Sequence, residues 1–171
     1  MTTAPARPRK PQLELTVAER LQLSPAMVRL VCHVDNAQDF QDIEAPEKYV
    51  KLIFFSETTL AATAPGALPD YWEVRDTSAP EDQPVSRHMT LRRTDPAAGE
   101  VWIDVALHGS EGYAGPWADA AAPGDRLVAL GPGGKWMPDP DATWSLFAGD
   151  DAAVPAVLAN LEALPVSARG E

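Results

Sequence analysis

Apolar and polar positions alternate with a period of two through much of this chain, which is the spacing of strands with one buried face. Leu13, Leu15 and Val17 alternate in this way. An apolar run follows from Met27 to Val34, and "YVKLIFF" from Tyr49 to Phe55 puts Val50, Leu52 and Phe54 on one side. Three strands so early predict an antiparallel barrel or sandwich. From Glu57 to Ser86 the pattern breaks, with Pro65, Pro69, Pro80 and Pro84 interrupting a stretch that is long for a loop. A short strand is expected inside it, around Tyr71 to Val74. Strand periodicity returns at His88 to Thr94 and at Val101 to Leu107, where Val101, Ile103, Val105 and Leu107 share a face. The connecting "DPAAGE" is turn chemistry, so the pair reads as a hairpin.

After that hairpin the pattern changes. Gly109, Gly112 and Gly115 precede Pro116 and a helix-forming run from Trp117 to Ala122, which "PGD" terminates. The helix should begin near Gly115 or Pro116, since proline is favoured in a first turn. A glycine-rich approach to a helix either cradles an anion or simply turns the chain. "GPGGKW", Gly131 to Trp136, reads as the exit from the strand region. Beyond it "WSLFA" reads as a buried strand, followed by a helix with Val154, Val157, Leu158, Leu161 and Leu164 on an apolar face. Asp150 or Asp151 is its expected N-cap, and Pro155 falls in the first turn. The expected division is therefore 1–140 for the strand domain and 141–171 for the start of an α/β unit.

Composition narrows the functional classes. The 171 residues are 45% hydrophobic, enough for one good core. The net charge of −11 sets the average surface against nucleic acids and anionic membranes, so an anionic ligand must be met by a local cationic cluster. Cys32 is the one cysteine; it excludes an intrachain disulfide and fits a reducing cytoplasm. No run approaches the ~20 apolar residues of a membrane span, and the first residues lack the apolar centre of a signal peptide. His33 reads as structural, and Asp35, Asp39, Asp42, Glu44 and Glu47 as a solvated rim; no metal site is expected.

The local cluster is "SRHMTLRR", Ser86 to Arg93, in which Arg87, His88, Arg92 and Arg93 surround Thr90. On a strand, Arg87, Met89 and Leu91 face one way and His88, Thr90 and Arg92 the other. The arginines either keep an edge strand soluble, or one of them grips a phosphate as a guanidinium can. Together with "GEVWIDVALHGSEGYAGPWADAAAPGDRLVALGPGGKW", "LSPAMVRLVCHV", "EKYVKLIFF" and "WSLFAGDDAAVPAVLANLEALP", this stretch resembles the flavin-binding domain of the siderophore-interacting proteins, relatives of the ferredoxin reductases.

That resemblance implies a mainly β fold, a six-stranded antiparallel Greek-key barrel holding FAD, followed by a nicotinamide-nucleotide-binding domain. It implies a flavin-linked ferric-siderophore reductase drawing electrons from NAD(P)H, with no catalytic side chain, because the cofactor carries the chemistry. Matched to the family's Arg-x-Tyr-Thr-x-Arg motif, Arg87 would reach the FAD phosphates, Met89 the isoalloxazine face and Thr90 its reactive edge, with Arg92 closing the motif. Leu107, His108 and Gly109, then Ala114, Gly115 and Trp117, match the family's ribityl and pyrophosphate contacts. Lys51, in the matched "YVKL", is a candidate for attracting an anionic ferric siderophore, beside Lys48 and Lys135.

Two departures stand out: Met89 where the family has tyrosine, and Tyr113 and Gly115 where it has proline and a small hydroxyl residue. A βαβ unit needs about 30 residues or more including its second strand, and the 28 from Trp144 to Glu171 are expected to hold only the first strand and helix. NAD(P)H binding is thus expected only with a complete C-terminal domain. The alternative is a truncated, non-enzymatic flavin-binding or partner-binding module, with a dimer or partner chain over the C-terminal helix.

Overall fold

A computed structural model describes residues 9–171; the leading stretch read above for its lack of an apolar centre lies outside them as far as residue 8. Six strands, β1 (Gln12–Ser24), β2 (Met27–Val34), β3 (Tyr49–Phe54), β4 (Val85–Asp95), β5 (Glu100–Ala106) and β6 (Arg126–Gly133), close into one barrel. Their order is β1-β2-β5-β4-β3-β6, antiparallel throughout, which is the Greek-key barrel expected. Alternation explains the closure: Leu13, Leu15 and Val17 of β1 are almost wholly buried, while Glu14 and Thr16 between them are not. Leu30, Leu52, Leu91, Ile103 and Ala129 bring the other strands into the same core. The expected exit turn is also corrected: Gly131 to Gly133 belong to β6, which ends with them, so the chain leaves the barrel from Gly134.

The proline-rich segment is not a loose loop. It carries two short helices, α1 (Glu57–Ala62) and α2 (Tyr71–Thr77). The strand expected at Tyr71 to Val74 is therefore the start of α2: the Asp70 carboxylate accepts the Glu73 N–H and caps the helix. Gln12 fixes this helix to the barrel by donating to the Pro69 carbonyl at 3.1 Å and accepting the Tyr71 N–H at 2.7 Å. Beneath it, Ile53, Val128 and Leu130 form a second apolar cluster on the outside of β3 and β6, covered by Phe55, Leu68, Tyr71 and Trp72. The segment thus exists to cover a sheet face that would otherwise meet water.

The third helix, α3 (Ala114–Ala120), starts one residue before the expected position and lies against β5 and β2. The fourth, α4 (Val154–Ala163), packs on the outside of β4 and buries Pro155, Ala159 and Asn160. Its N-cap is Ala153 rather than either aspartate; Asp150 instead accepts the Ala153 N–H at 3.2 Å, closing the turn before the helix. The expected buried strand "WSLFA" is also corrected. Trp144 and Leu146 are 53% and 62% exposed, because no layer among the described residues covers them. The stretch makes one parallel bridge, Ser145 to Gly170. Three main-chain hydrogen bonds accompany it, two donated by Ser145 and Phe147 and one by Glu171, at 2.9 to 3.1 Å. The last residues and this stretch therefore meet in a single bridge and not in a strand pair. No helix among the described residues is long and apolar enough to cross a membrane.

Candidate functional site

β4 changes neighbours along its length. From Leu91 to Asp95 it pairs with β5, starting opposite Ile103, but from Val85 to Thr90 its ladder is with β3 alone. A register shift between Leu91 and Arg93 marks where the two strands part. Above it, Arg87 to Thr90 of β4 and Asp104 to Ala106 of β5 stand on either side of a cleft of about 180 Å³. The main-chain N–H and C=O groups of both strands on that side have no ladder partner among the described residues. Open main-chain donors and acceptors of this kind are available to another strand or to a polar ligand.

The walls follow from the same parting. Met89 packs its side chain on the barrel core and forms the apolar floor. Thr90, on the opposite pleat, still reaches the cleft because no strand covers that side of β4. The loop after β5 supplies His108, Glu111, Gly112 and Tyr113, and the first turn of α3 supplies Ala114 and Gly115. Gly112 has φ +85°, a conformation that favours glycine and turns the loop back toward the cleft. Gly115 keeps α3 close to the sheet: a Cβ there would lie 3.7 Å from the Ala106 carbonyl oxygen. Ala152, just before α4, closes the remaining side.

Charge in the cleft is arranged by pairing. Asp104 is only 4% exposed and would be an adverse buried carboxylate, but Arg29, opposite it on β2, donates two hydrogen bonds to it at 2.6 and 2.8 Å. The Asp104 hydrogen bond also raises the Arg29 guanidinium above its ordinary value, against the opposing effect of burial. Arg87 is free by comparison. Its guanidinium donates to the Ser86 carbonyl and lies 5.3 Å from the centre of the Tyr113 ring, with no carboxylate partner among the described residues. An unpaired, aromatic-backed guanidinium at the mouth of an otherwise neutralised cleft suits a phosphate. The residues present therefore fit FAD: open strand edges for the ring system, an apolar floor and one available cation.

Of the residues singled out from the sequence, Arg87, Met89, Thr90, His108, Ala114 and Gly115 line this one cleft. Leu107 and Gly109 do not; they border a shallow depression with Gln22, Pro25, Pro116 and Asp119. Trp117 packs on the core and lines an apolar groove beside Phe54. Arg92 points to the outer face, where it is bound by two hydrogen bonds to Glu162 of α4, so it does not face the cleft. Lys51 lies on the outside of β3 opposite His88, whose protonation is disfavoured first by burial and then by Lys51 and Lys10. Lys48 is held by Asp42 at 2.7 Å. His33 is exposed, and among the described residues no three His, Cys, Asp or Glu side chains converge as metal ligands. Burial pushes the Cys32 thiol up to about 12, well removed from nucleophilic use.

Sequence reasoning missed His88, Asp104 and Tyr113 as cleft residues. Asp104 left a trace: it is the one charge inside "VWIDVAL", and an apolar strand carries a buried charge only with a partner.

Comparison with known proteins agrees with the geometry. The profile of the siderophore-interacting FAD-binding domain matches residues 16–136. An uncharacterized protein of Mycobacterium tuberculosis is 38% identical over 162 residues, 94% of this chain and 56% of that protein. The ferric vibriobactin reductase ViuB of Vibrio cholerae is 43% identical over 94 residues, 53% of this chain and 34% of its own. Among solved structures, the siderophore-interacting protein SipS from Aeromonas hydrophila superposes with a TM-score of 0.73 at 31% identity, covering 95% of this chain and 58% of that one. The chain spans a little over half the length of the first of these relatives. The strand order, the β4–β5 cleft and the profile match converge: this chain belongs to the siderophore-interacting FAD-binding domain family.

Proposed function

We propose that this chain is the flavin-holding part of a ferric-siderophore reductase. The observation that carries the reading is the parting of β4 from β5, which leaves two strand edges open beside an unpaired Arg87. When bound, FAD supplies hydride acceptance from reduced nicotinamide and single-electron delivery to chelated Fe(III). The chain's own residues position and shield. Met89 supports one ring face through its thioether, a favourable if less flat contact than tyrosine. Thr90 offers a hydroxyl at the ring edge, and Arg87 neutralises the diphosphate. His108 and the first turn of α3 border the ribityl chain, and Ala152 narrows solvent access.

On the outer face, Lys51 beside His88 presents positive charge to an anionic ferric siderophore. Residues 141–171, with α4 and the Ser145 to Gly170 bridge, correspond in this reading to the start of a nicotinamide-nucleotide domain, so turnover with NAD(P)H requires a complete one. The lone buried Cys32 fits a reducing, cytoplasmic setting.

The test is the visible spectrum of the purified chain before and after incubation with FAD, with free flavin removed by gel filtration. Retained flavin bands support the reading, and photochemically supplied electrons should then reduce an added ferric chelate. No retention at high FAD would end the redox role. Arg87→Ala should lose ~1.5–3 kcal/mol of FAD affinity, the scale of a hydrogen bond to a charged group. Met89→Tyr should bind FAD as tightly or more so. Retained flavin without ferric reduction would favour the alternative of a non-enzymatic binding module, for which the exposed face of α4 is the supporting feature.

A further inference from the structure

β5 carries one charge inside an apolar strand, and that charge belongs to the cleft. Asp104 lines the cleft together with Met89 and Thr90, its side chain only 2% exposed. Its partner Arg29 stands opposite it on β2 and is not part of the cleft lining. The pair is therefore oriented, with its carboxylate toward the cleft and its guanidinium behind. Arg29 is fixed as well as paired. Beyond the two hydrogen bonds to Asp104, its guanidinium lies 4.8 Å from the centre of the Trp102 ring, whose Nε1 donates to Glu100 at 2.6 Å. Stability alone does not call for this arrangement, because apolar side chains of similar volume in place of a buried ion pair are often neutral or stabilising. A charged pair kept beside a ligand cleft points instead to a part in the ligand's chemistry.

Resting on the reading of the cleft as a flavin site, we infer that the Arg29–Asp104 pair tunes the reduction potential of the bound flavin, Asp104 holding it down and Arg29 acting as a positioning residue that fixes and partly neutralises the carboxylate. Two electrons and one proton taken up by an isoalloxazine leave it one unit more negative. A fixed negative charge in the same lining therefore disfavours the reduced ring, and a positive one favours it. The other fixed charges of the lining are Arg87 and Glu111, and its histidines are His88 and His108. Arg87 is assigned to the diphosphate, and Glu111 is exposed on its loop, where solvent and salt screen it. Asp104 is the buried charge of the set, and a low local dielectric makes a charge felt. Holding the potential down makes the reduced flavin the stronger electron donor. That suits chelated Fe(III), which is harder to reduce the more tightly it is held.

The experiment is a reductive titration of the FAD-loaded chain against a reference dye, which reads the ratio of reduced to oxidised flavin at a fixed solution potential. It compares the wild type, Asp104→Asn, Arg29→Lys and the double variant Arg29→Met with Asp104→Asn. Asparagine keeps the shape and one acceptor for Arg29, so Asp104→Asn removes the negative charge and leaves the fold and the positive charge. The ratio should rise about tenfold, the effect of a unit charge acting over about 10 Å at an effective dielectric of ~20, which is about 30 mV for a two-electron couple. Arg29→Lys keeps the net charge and the double variant removes both charges, so each should stay within about threefold of the wild type. Thermal unfolding of the flavin-free chain separates potential from folding: Arg29→Lys, which loses the two-pronged hydrogen bond, should unfold at lower temperature with its potential held. An unchanged ratio in Asp104→Asn, or a rise of the same size in the double variant, overturns the inference and leaves the cleft as a flavin site. So does loss of flavin binding by a folded Asp104→Asn, since the carboxylate would then be a binding group. Failure of the wild type to hold FAD overturns the flavin reading itself.

Discussion

The barrel and the C-terminal segment solve the same burial problem with different success. In the barrel every strand has two neighbours, and side chains such as Leu30, Ile103 and Ala129 reach 0% exposure. The segment from Trp144 onward has one helix and one isolated bridge, Ser145 to Gly170, and α4 buries only Pro155, Ala159 and Asn160. Its larger apolar groups, among them Leu146, Leu158 and Leu161, stay exposed. Closure makes the difference: a closed sheet supplies its own second layer, whereas a helix laid on the outside of one strand leaves its outer face open. The attachment of α4 to β4 accordingly combines a few small buried groups, Pro155 and Ala159, with an exposed charged contact, Arg92 with Glu162.

Substitutions that remove single contacts sharpen this contrast. The largest loss is expected for Arg29→Ala, which strands the buried Asp104 carboxylate without its guanidinium; ~3–5 kcal/mol of barrel stability should disappear in denaturant unfolding. A loss under 1 kcal/mol would mean that Asp104 is hydrated after all. Ile103→Ala, with the side chain wholly inside the core, should cost ~2–5 kcal/mol in the same measurement. Leu158→Ala, 38% exposed on the open face of α4, should stay within about 0.5 kcal/mol. If Leu158→Ala proved as damaging as Ile103→Ala, the helix would belong to the barrel's folding unit and the contrast would fail.

The barrel was legible because period-two alternation survives wherever one face is buried and the other wet. β2 and β3 fall almost where Met27 to Val34 and Tyr49 to Phe55 predict them. Tyr71 to Val74 misled because aromatic and β-branched residues favour strands, while the competing signal was the i, i+3 spacing of Asp70 and Glu73 that marks a helix start. "WSLFA" misled in another way: its composition suits a buried strand, but burial depends on neighbours that lie outside its own sequence. The cleft was half legible. Arg87, Met89 and Thr90 are consecutive enough to be read together, but the parting of β4 from β5 is a property of pairing, and no local pattern announces it. Arg92 shows the limit most clearly, since a motif position says which strand a cation is on and not which partner it will find across the fold.

A small pH dependence is expected at α4. Glu162 is held below its ordinary carboxylate value, chiefly by the Arg92 hydrogen bonds, with Arg29 and Arg93 adding attraction. A carboxylate whose value is depressed in the folded state contributes stability that is present above its unfolded value and is lost as pH falls through the lower, folded one. Docking of α4 should therefore weaken on acidification through the carboxylate range and hold steady toward neutrality. The side chain is 64% exposed, so solvent screening keeps the contribution below about 1 kcal/mol, and added salt should reduce it further. Amide-exchange protection factors of α4, measured against pH, should fall in the wild type but remain uniformly low in Glu162→Gln, while those of β2 and β5 stay unchanged in both. If wild type and variant lost α4 protection in parallel, the titrating group would lie elsewhere, and α4 would be held by Pro155 and Ala159 alone.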